Sequence, residues 1–489
     1  MVYRVIMKIN NTPIIEIWEQ EIAKNPMLSA GVSLLRELDD RFPSSQSLIV
    51  GGTVRDLLLH KPIKDVDIAT NIDINDIEQA FQTHDIGKSK DFGIVTVKWE
   101  GFSYEIAQFR TEVGYSDNRR PDKVEKAESF QTDAARRDFT VNALGIDAAA
   151  NIYDYYGGFE DLMSNMLRAV GNAEERFQED ALRIYRLFRF ASKLNFNIEH
   201  DTYEAAKKLI KQGHTVSLAK ERVREELYSA SHTGKSLANY IKHLDRVGLL
   251  QKILPEIKAL QGLKQAPHHH PEGDCYQHTI AAVHASRSID PVTNIAVLLH
   301  DVGKGITYRN RDGKHTYYGH ETAGLPLIKQ IGERLKISSA DVESISFAAA
   351  GHMKAHYIGS RLTKKKIVDL VSDINWSVLK DVVYADEMSR GEPLADPEGY
   401  EAKMKYAEEV LQKMSVSGGS AGLKNRLKQL IDGSKLLKWV PDLNIRDNKP
   451  LIGRIMKDVH EWIINSEKFD ATEEELKQFA LHRFKIYRR

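Results

Sequence analysis

The sequence predicts a multidomain chain: a mixed α/β region of about five short strands near the N-terminus, then all-helical regions. Three observations predict this. Strand-length apolar runs (SLIVGG, DVDIAT, GIVTVKWEG, FSYEIAQFR, VNALGID) fall between residues 47 and 150. From residue 159 onward strand signals nearly vanish and apolar residues recur at helical spacing. The 489 residues exceed one ordinary domain and suggest roughly three or four.

Taken in order, residues 1–27 have no clear pattern and are expected to be an extension. Residues 28–42 (LSAGVSLLRELDDRF) place Leu34, Leu35 and Leu38 on one face of a helix. They open a first domain over residues 28–150, with further helices expected at 53–60 and 74–83. Residues 151–250 form a helical region, patterned at 173–195, 202–212, 217–230 and 235–247. The stretch 255–275 is rich in Pro, Gly and His and marks a boundary. A His- and Asp-rich helical domain is expected over 251–400, and a helical region with charged faces over 401–489.

Composition narrows the chemistry. Lys+Arg and Asp+Glu both number 69, so no global field draws the chain to nucleic acid, and any such contact needs a local patch. One cysteine, Cys275, excludes a disulfide framework and a Cys-rich zinc site. There is no long apolar run and no leader pattern, so the reading is a soluble, cytoplasmic protein with no membrane partner.

Residues 48–67 read LIVGGTVRDLLLHKPIKDVD. A short strand is expected to end at Gly51–Gly52, and a helix to start behind it. Glycine lets backbone N–H groups approach a phosphate, a helix start favours anions, and Arg55 adds a bidentate grip. Asp65 and Asp67 are two apart; on a strand they share a face, and two hard oxygen ligands at one spot suit Mg²⁺. The arrangement suits a nucleoside triphosphate and its metal ions.

Two further stretches are basic. In EDALRIYRLFRF, Asp180, Arg183, Arg186 and Arg189 are three apart and wind slowly around one half of a helix. That is either a solvated face or a reader of base edges. Asp180 can accept from an exocyclic amino group while Arg183 donates to a ring nitrogen, which admits C and A and rejects U and G. In ARRDFTVNALGID, Arg136 and Arg137 can hold triphosphate or sugar oxygens and Asn142 a ribose. The glycine pair of DYYGG is a candidate hinge. Residues 181–224 carry about ten basic against four acidic side chains, a patch able to meet RNA phosphates.

GGTVRD with DVD, ARRDFTVNA, DYYGG, EDALR and KERVREEL follow the order seen in class II tRNA nucleotidyltransferases, the CCA-adding enzymes, which share this set with bacterial poly(A) polymerases. The resemblance covers about residues 30–250. It implies a nucleotidyltransferase head followed by helical neck, body and tail, and template-independent addition of C, C and A to tRNA from CTP and ATP. By position, Asp65 and Asp67 would be catalytic Mg²⁺ ligands, and Gly51, Gly52, Arg55 and Arg137 would contact the triphosphate. Asp180 and Arg183 would template the base, with Arg186 and Arg189 beside them. Glu105 resembles a further acidic position, and Thr111–Ala135 resembles the loop that switches CTP for ATP.

His278 sits in YQHTIAAV, His300-Asp301 follow IAVLL, His320 lies in YYGHETAG, His352 in AAAGHMKAH and Asp386 in YADEMSR. Imidazole and carboxylate together suit transition metals as well as Mg²⁺. The set resembles the HD phosphohydrolase superfamily, which implies His278, His300, Asp301 and Asp386 as ligands of a divalent metal of unknown identity. His268–His270 are either auxiliaries of that site or a polar loop. Two alternatives stay open: a poly(A) polymerase or A-adding enzyme of the same family, and an HD phosphohydrolase whose head only tethers RNA.

Overall fold

The computed structural model describes residues 2–3, 8–9, 12–84, 93–113, 123–216, 218–268, 270–413, 419–444 and 448–488. The chain divides into two compact units, one of residues 1–226 and 246–249, the other of residues 227–245 and 250–489. The division near residue 227 falls inside the 151–250 segment that composition suggests as one region. No helix among the described residues is long and apolar enough to cross a membrane.

The first unit is built on an eight-stranded sheet, rather than the expected five strands. Across the sheet the strands are Val2–Tyr3, Ile152–Asp154, Leu144–Ile146, Ser47–Val50, Asp67–Thr70, Phe102–Gln108, Ile94–Trp99 and Thr83–His84. Only Asp67–Thr70 and Phe102–Gln108 pair in parallel; the other neighbours are antiparallel. The three unexpected strands have two or three residues each, too short for an alternating pattern to register.

One of them corrects the reading of residues 1–27 as an extension. Val2–Tyr3 closes one edge of the sheet, and the helix Ile14–Lys24 buries Ile14, Ile17 and Trp18. The next helix, Pro26–Arg41, is capped by Asn25, whose side chain accepts from the N–H groups of Met27 and Leu28. It buries Leu28, Leu34, Leu35 and Leu38 against the sheet, each burial contributing about 1.5–3 kcal/mol relative to exposure. On another side of the Ser47–Val50 strand, Leu48, Val50, Phe109, Phe130 and Val170 form a second core layer.

The DYYGG turn is locked rather than hinge-like. The Asp154 carboxylate accepts from the backbone N–H groups of Tyr156, Gly158 and Phe159. A Cβ on Gly158 would stand 2.1 Å from the Thr140 carbonyl oxygen, so glycine here serves close packing. ARRDFTVNA forms a short 3₁₀ turn, Thr140–Asn142, before the Leu144–Ile146 strand.

The second unit is helical. Its centre packs Cys275–Ala285, Pro291–Leu299, His320–Leu335, Ser339–Ala355 and Trp376–Ser389 against one another. Helices Pro397–Lys413, Gly419–Leu430, Gly433–Trp439, Lys449–Asn465 and Glu473–Arg488 follow.

Candidate active sites

In the head, Gly51 adopts φ +71°, a conformation glycine favours, and it caps the helix Gly52–Leu58. A Cβ at Gly51 would stand 2.9 Å from a guanidinium nitrogen of Arg137, so the arginine lies against the turn. Asp67 opens its strand and is in register with Glu105 on the parallel neighbour. Asp65 lies before the strand begins, not within it, and its carbonyl accepts from the Thr53 hydroxyl at 2.9 Å. The sharing of one strand face by Asp65 and Asp67 is therefore not what relates them. The Asp67 carboxyl nevertheless feels both acids. The surrounding protein raises its pKa most, Glu105 and Asp65 raise it further, and Arg137 acts the other way. A buried carboxylate repelled by two others beside an arginine is a donor set that a divalent cation would relieve.

The arginines around this site are already engaged. Arg55 is buried; it donates to Asp56 at 2.8 Å and to the Asn142 side-chain oxygen at 2.6 Å. Asn142 in turn donates to Asp138 at 3.0 Å, so its amide is used within the protein. Arg137 donates to Asp133 and to the Asn142 carbonyl.

The basic stripe resolves differently from its sequence pattern. Asp180 is not on the helix with the arginines: it ends the helix Ala173–Glu179, and Leu182–Leu194 begins two residues later. Its carboxylate accepts from Leu182 N–H and from Arg222 at 2.9 Å. Arg183 donates to Glu179 and to the carbonyls of Arg176 and Arg136. Arg186 pairs with Asp138 at 2.6 Å, and Arg189 with Glu226. Burial alone would raise the Asp138 carboxyl; Arg186 and Asn142 outweigh it and hold it at about 2. These arginines form a paired network rather than a solvated face. The strands Arg110–Val113 and Lys123–Lys126 pair across the segment expected to switch nucleotides, of which residues 114–122 lie outside the described residues.

In the second unit His278, His300, Asp301 and Asp386 come together, joined by His320 and His352. Every imidazole is oriented the same way. The Nδ1–H groups of His300, His320 and His352 donate to the carbonyls of Val297, Tyr317 and Ala349 at 2.7–2.8 Å, and that of His278 donates to Glu272 at 2.7 Å. This turns each Nε2 inward. Asp301 lies between two pairs: Oδ2 is 3.4 Å from Nε2 of both His278 and His300, and Oδ1 is 3.0 Å from His320 and 3.7 Å from His352. Nε2 of His278, Nε2 of His300 and Oδ1 of Asp301 are buried without an aligned hydrogen-bond partner. His320 and His352 bring their Nε2 atoms within 3.2 Å of each other. Nε2 atoms turned inward around a buried carboxylate fit a cation, which would displace a proton held there.

The carboxylates of the cluster favour positive charge on the imidazole they surround. Burial lowers His278, but Asp301, Asp386 and Glu272 together raise it to about 10; burial first and His300 second lower His352 to about 3. Asp301 is held well below the carboxylate range despite its burial, by Lys304, His300 and His278, with the Lys304 ammonium 2.5 Å from it. Sequence reading passed over Glu272, whose only signal is its place in HHHPEGD. Its carboxylate also receives His270 at 2.9 Å, so it is a carboxylate backing the imidazole of His278, a candidate ligand. Replacing Glu272 by alanine is expected to weaken divalent-metal binding about 10–100-fold, and glutamine less, as measured by calorimetric titration of the metal-free protein.

Comparison with known proteins matches three stretches of the chain to known domains. The Poly A polymerase head domain profile matches residues 47–168, the probable RNA and SrmB-binding site of polymerase A matches 195–261, and the HD domain matches 275–385. A multifunctional CCA protein of Halorhodospira halophila is 35% identical over 314 residues, 63% of this chain and 73% of that protein. The chain belongs to the CCA-adding enzyme family. A CCA-adding enzyme of Lactobacillus johnsonii is 44% identical over 223 residues, 45% of this chain. The chain spans about half the length of this and similar curated relatives, 51% in this case. The Bacillus stearothermophilus CCA-adding enzyme solved with CTP has TM-score 0.65 at 22% identity, covering 95% of this chain and 99% of that one. The Thermotoga maritima CCA-adding enzyme complexed with tRNA has TM-score 0.56 at 16% identity, covering 96% and 98%. These likenesses establish the fold. Within the CCA-adding enzyme frame, Asp65, Asp67, Glu105 and Arg137 fall in the head match, and Asp180–Arg189 fall between the first two matches. The HD match ends one residue before Asp386.

Proposed function

We propose that this chain adds C, C and A to tRNA 3′ ends from CTP and ATP without a nucleic acid template. The observation that carries this reading is the meeting of Asp67, Glu105 and Asp65 with Arg137, which itself lies against the Gly51 turn. Asp65 and Asp67 would hold Mg²⁺, which supplies charge stabilisation for phosphoryl chemistry when bound. Gly51 lets the Arg137 guanidinium close against the turn, where it would neutralise phosphate oxygens approaching the backbone of Gly51 and Gly52. In the transfer, the RNA 3′-oxygen bonds to the α-phosphorus and its proton passes to solvent. The α–β anhydride bond breaks and pyrophosphate departs with the electron pair. Base choice falls to Asp180 and Arg183, each of which exchanges a present partner, Arg222 or Glu179, for a base edge. Arg55, Arg186 and Arg189 support these groups through their own ion pairs.

A second activity rests on a separate observation, the buried and unpartnered Nε2 and Oδ1 atoms around Asp301. His278, His300, Asp301 and Asp386 would hold one divalent transition-metal ion, and Asp301 with His320 and His352 a second. Such ions supply an acidified water for phosphoester hydrolysis.

With tRNA lacking CCA, CTP alone is expected to give products ending in CC, and CTP with ATP products ending in CCA, read by sequencing the 3′ ends. Open-ended A tails would favour a poly(A) polymerase, a lone added A an A-adding enzyme. Absence of incorporation together with phosphate release would leave only the hydrolase.

A further inference from the structure

Between two members of the HD cluster the chain makes an excursion that metal binding does not require. After the short helix Lys304–Thr307, strands Arg309–Arg311 and Lys314–Thr316 form a hairpin, and the chain returns to the cluster at His320. The tip is Asp312–Gly313, both at positive φ (51° and 81°), which matches the twist of a tight two-residue hairpin. An isolated two-stranded hairpin is marginal in water, so something must hold its base. Tyr308 stacks on His315 with an interplanar angle of 12° and meets its Nδ1 at 2.9 Å. Tyr317 packs beside Tyr308, and its hydroxyl donates to the Lys264 carbonyl at 2.6 Å. The Tyr317 carbonyl is also the acceptor that orients His320. The arm is thus fastened directly to the cluster.

What the arm presents is distinct from its base. Arg309, Arg311 and Lys314 are exposed, against a single acid, Asp312. Among the described residues, Arg311 and Lys314 pair with no carboxylate. Tyr318 is 84% exposed, beside the last anchor and two residues before His320. A free aromatic face with unpaired cations is the composition that holds single-stranded nucleic acid, by base stacking and phosphate contacts. His278, His300, Asp301 and His352 are at most 1% exposed, which shuts out a strand's interior phosphodiester, flanked by nucleotides on both sides, and leaves a terminal phosphate as the smallest part of an RNA to offer them.

We propose that this hairpin seats the end of a single-stranded RNA whose terminal phosphomonoester enters the HD cluster, with the terminal base stacked on Tyr318 and preceding phosphates on Arg309, Arg311 and Lys314. This rests on the phosphohydrolase reading of the cluster and names its substrate class. Water oxygen bonds to phosphorus, the ester P–O bond breaks, and the RNA leaves as an alcohol with inorganic phosphate.

The test compares three substrates with the metal-loaded full chain: p-nitrophenyl phosphate, and an oligoribonucleotide carrying either a 3′- or a 5′-phosphate. Tyr318→Ala is expected to raise KM for one phosphorylated end about tenfold with kcat unchanged, to leave p-nitrophenyl phosphate unaffected, and to be rescued by Tyr318→Phe. Joint replacement of Arg309, Arg311 and Lys314 by serine should raise the same KM and flatten its salt dependence. Unchanged oligonucleotide KM in both variants overturns the proposal, and leaves the arm to a protein partner or to no ligand. In parallel, an oligoribonucleotide ending in 4-thiouridine is photocross-linked to the full chain and the adduct mapped by mass spectrometry. Adducts within residues 308–318 that disappear in Tyr318→Ala support the assignment; adducts only elsewhere refute it. If the wild type hydrolyses none of the three substrates, the phosphohydrolase reading fails and the cross-link alone decides the hairpin.

Discussion

Replacing Asp67 by alanine is expected to lower nucleotide incorporation at least a thousandfold, about 4 kcal/mol of barrier, and Asp65→Ala to do the same. The reason is electrostatic. Asp67 sits where burial, Glu105 and Asp65 raise its pKa and Arg137 offsets only part of this, so its ionised form is held at a cost that a bound cation would relieve. The sign gives a control. A carboxylate whose folded pKa lies above its unfolded value contributes no stability when ionised at neutral pH. Asp67→Ala should therefore leave the melting temperature unchanged or slightly higher while activity disappears, and HD hydrolysis should persist. Near-normal extension of tRNA by either variant would remove the carboxylate cluster from the mechanism. A melting temperature lowered along with activity would point to a scaffold role instead.

His300→Ala is the complementary case. Phosphate release by the HD site should fall at least a thousandfold, and bound divalent metal should drop in elemental analysis, with CCA addition intact. His300 is the cleanest choice because its substitution removes only its Nδ1 bond to Val297 and the 3.4 Å approach of its Nε2 to Asp301, which keeps Lys304 as its partner. Removing Asp301 instead would strand the buried Lys304 ammonium, which lies 2.5 Å from it, and instability would obscure the chemistry. Phosphate release at the wild-type rate in His300→Ala would show that the cluster is not the hydrolytic centre.

Much of the head was legible in advance because its signals are local. The strand before Gly51, the leucine face of Pro26–Arg41 and the change to helical period after residue 159 each depend on residues near one another in sequence. The two-residue strands and the helix Ile14–Lys24 carried too little pattern of their own. They exist because the sheet edge and the core supply partners. The basic stripe shows the reverse error. Spacing put Asp180 on a helix with three arginines, whereas that helix begins at Leu182, and Arg222 from another helix, 42 residues on, takes up its carboxylate.

The sequence by itself determined which chemistries are available here: hard carboxylates near a glycine turn, imidazoles with an HD pair, and the order of motifs that marks the family. Only the tertiary structure decided which of those groups face one another. His278 and Asp386 approach within 3.2 Å across more than a hundred residues, Arg183, Arg186 and Arg189 are paired with carboxylates, and Glu272 backs His278. Covalent spacing fixes neighbours along one element, while contacts between elements are set by the packing of the whole unit, which no local window contains.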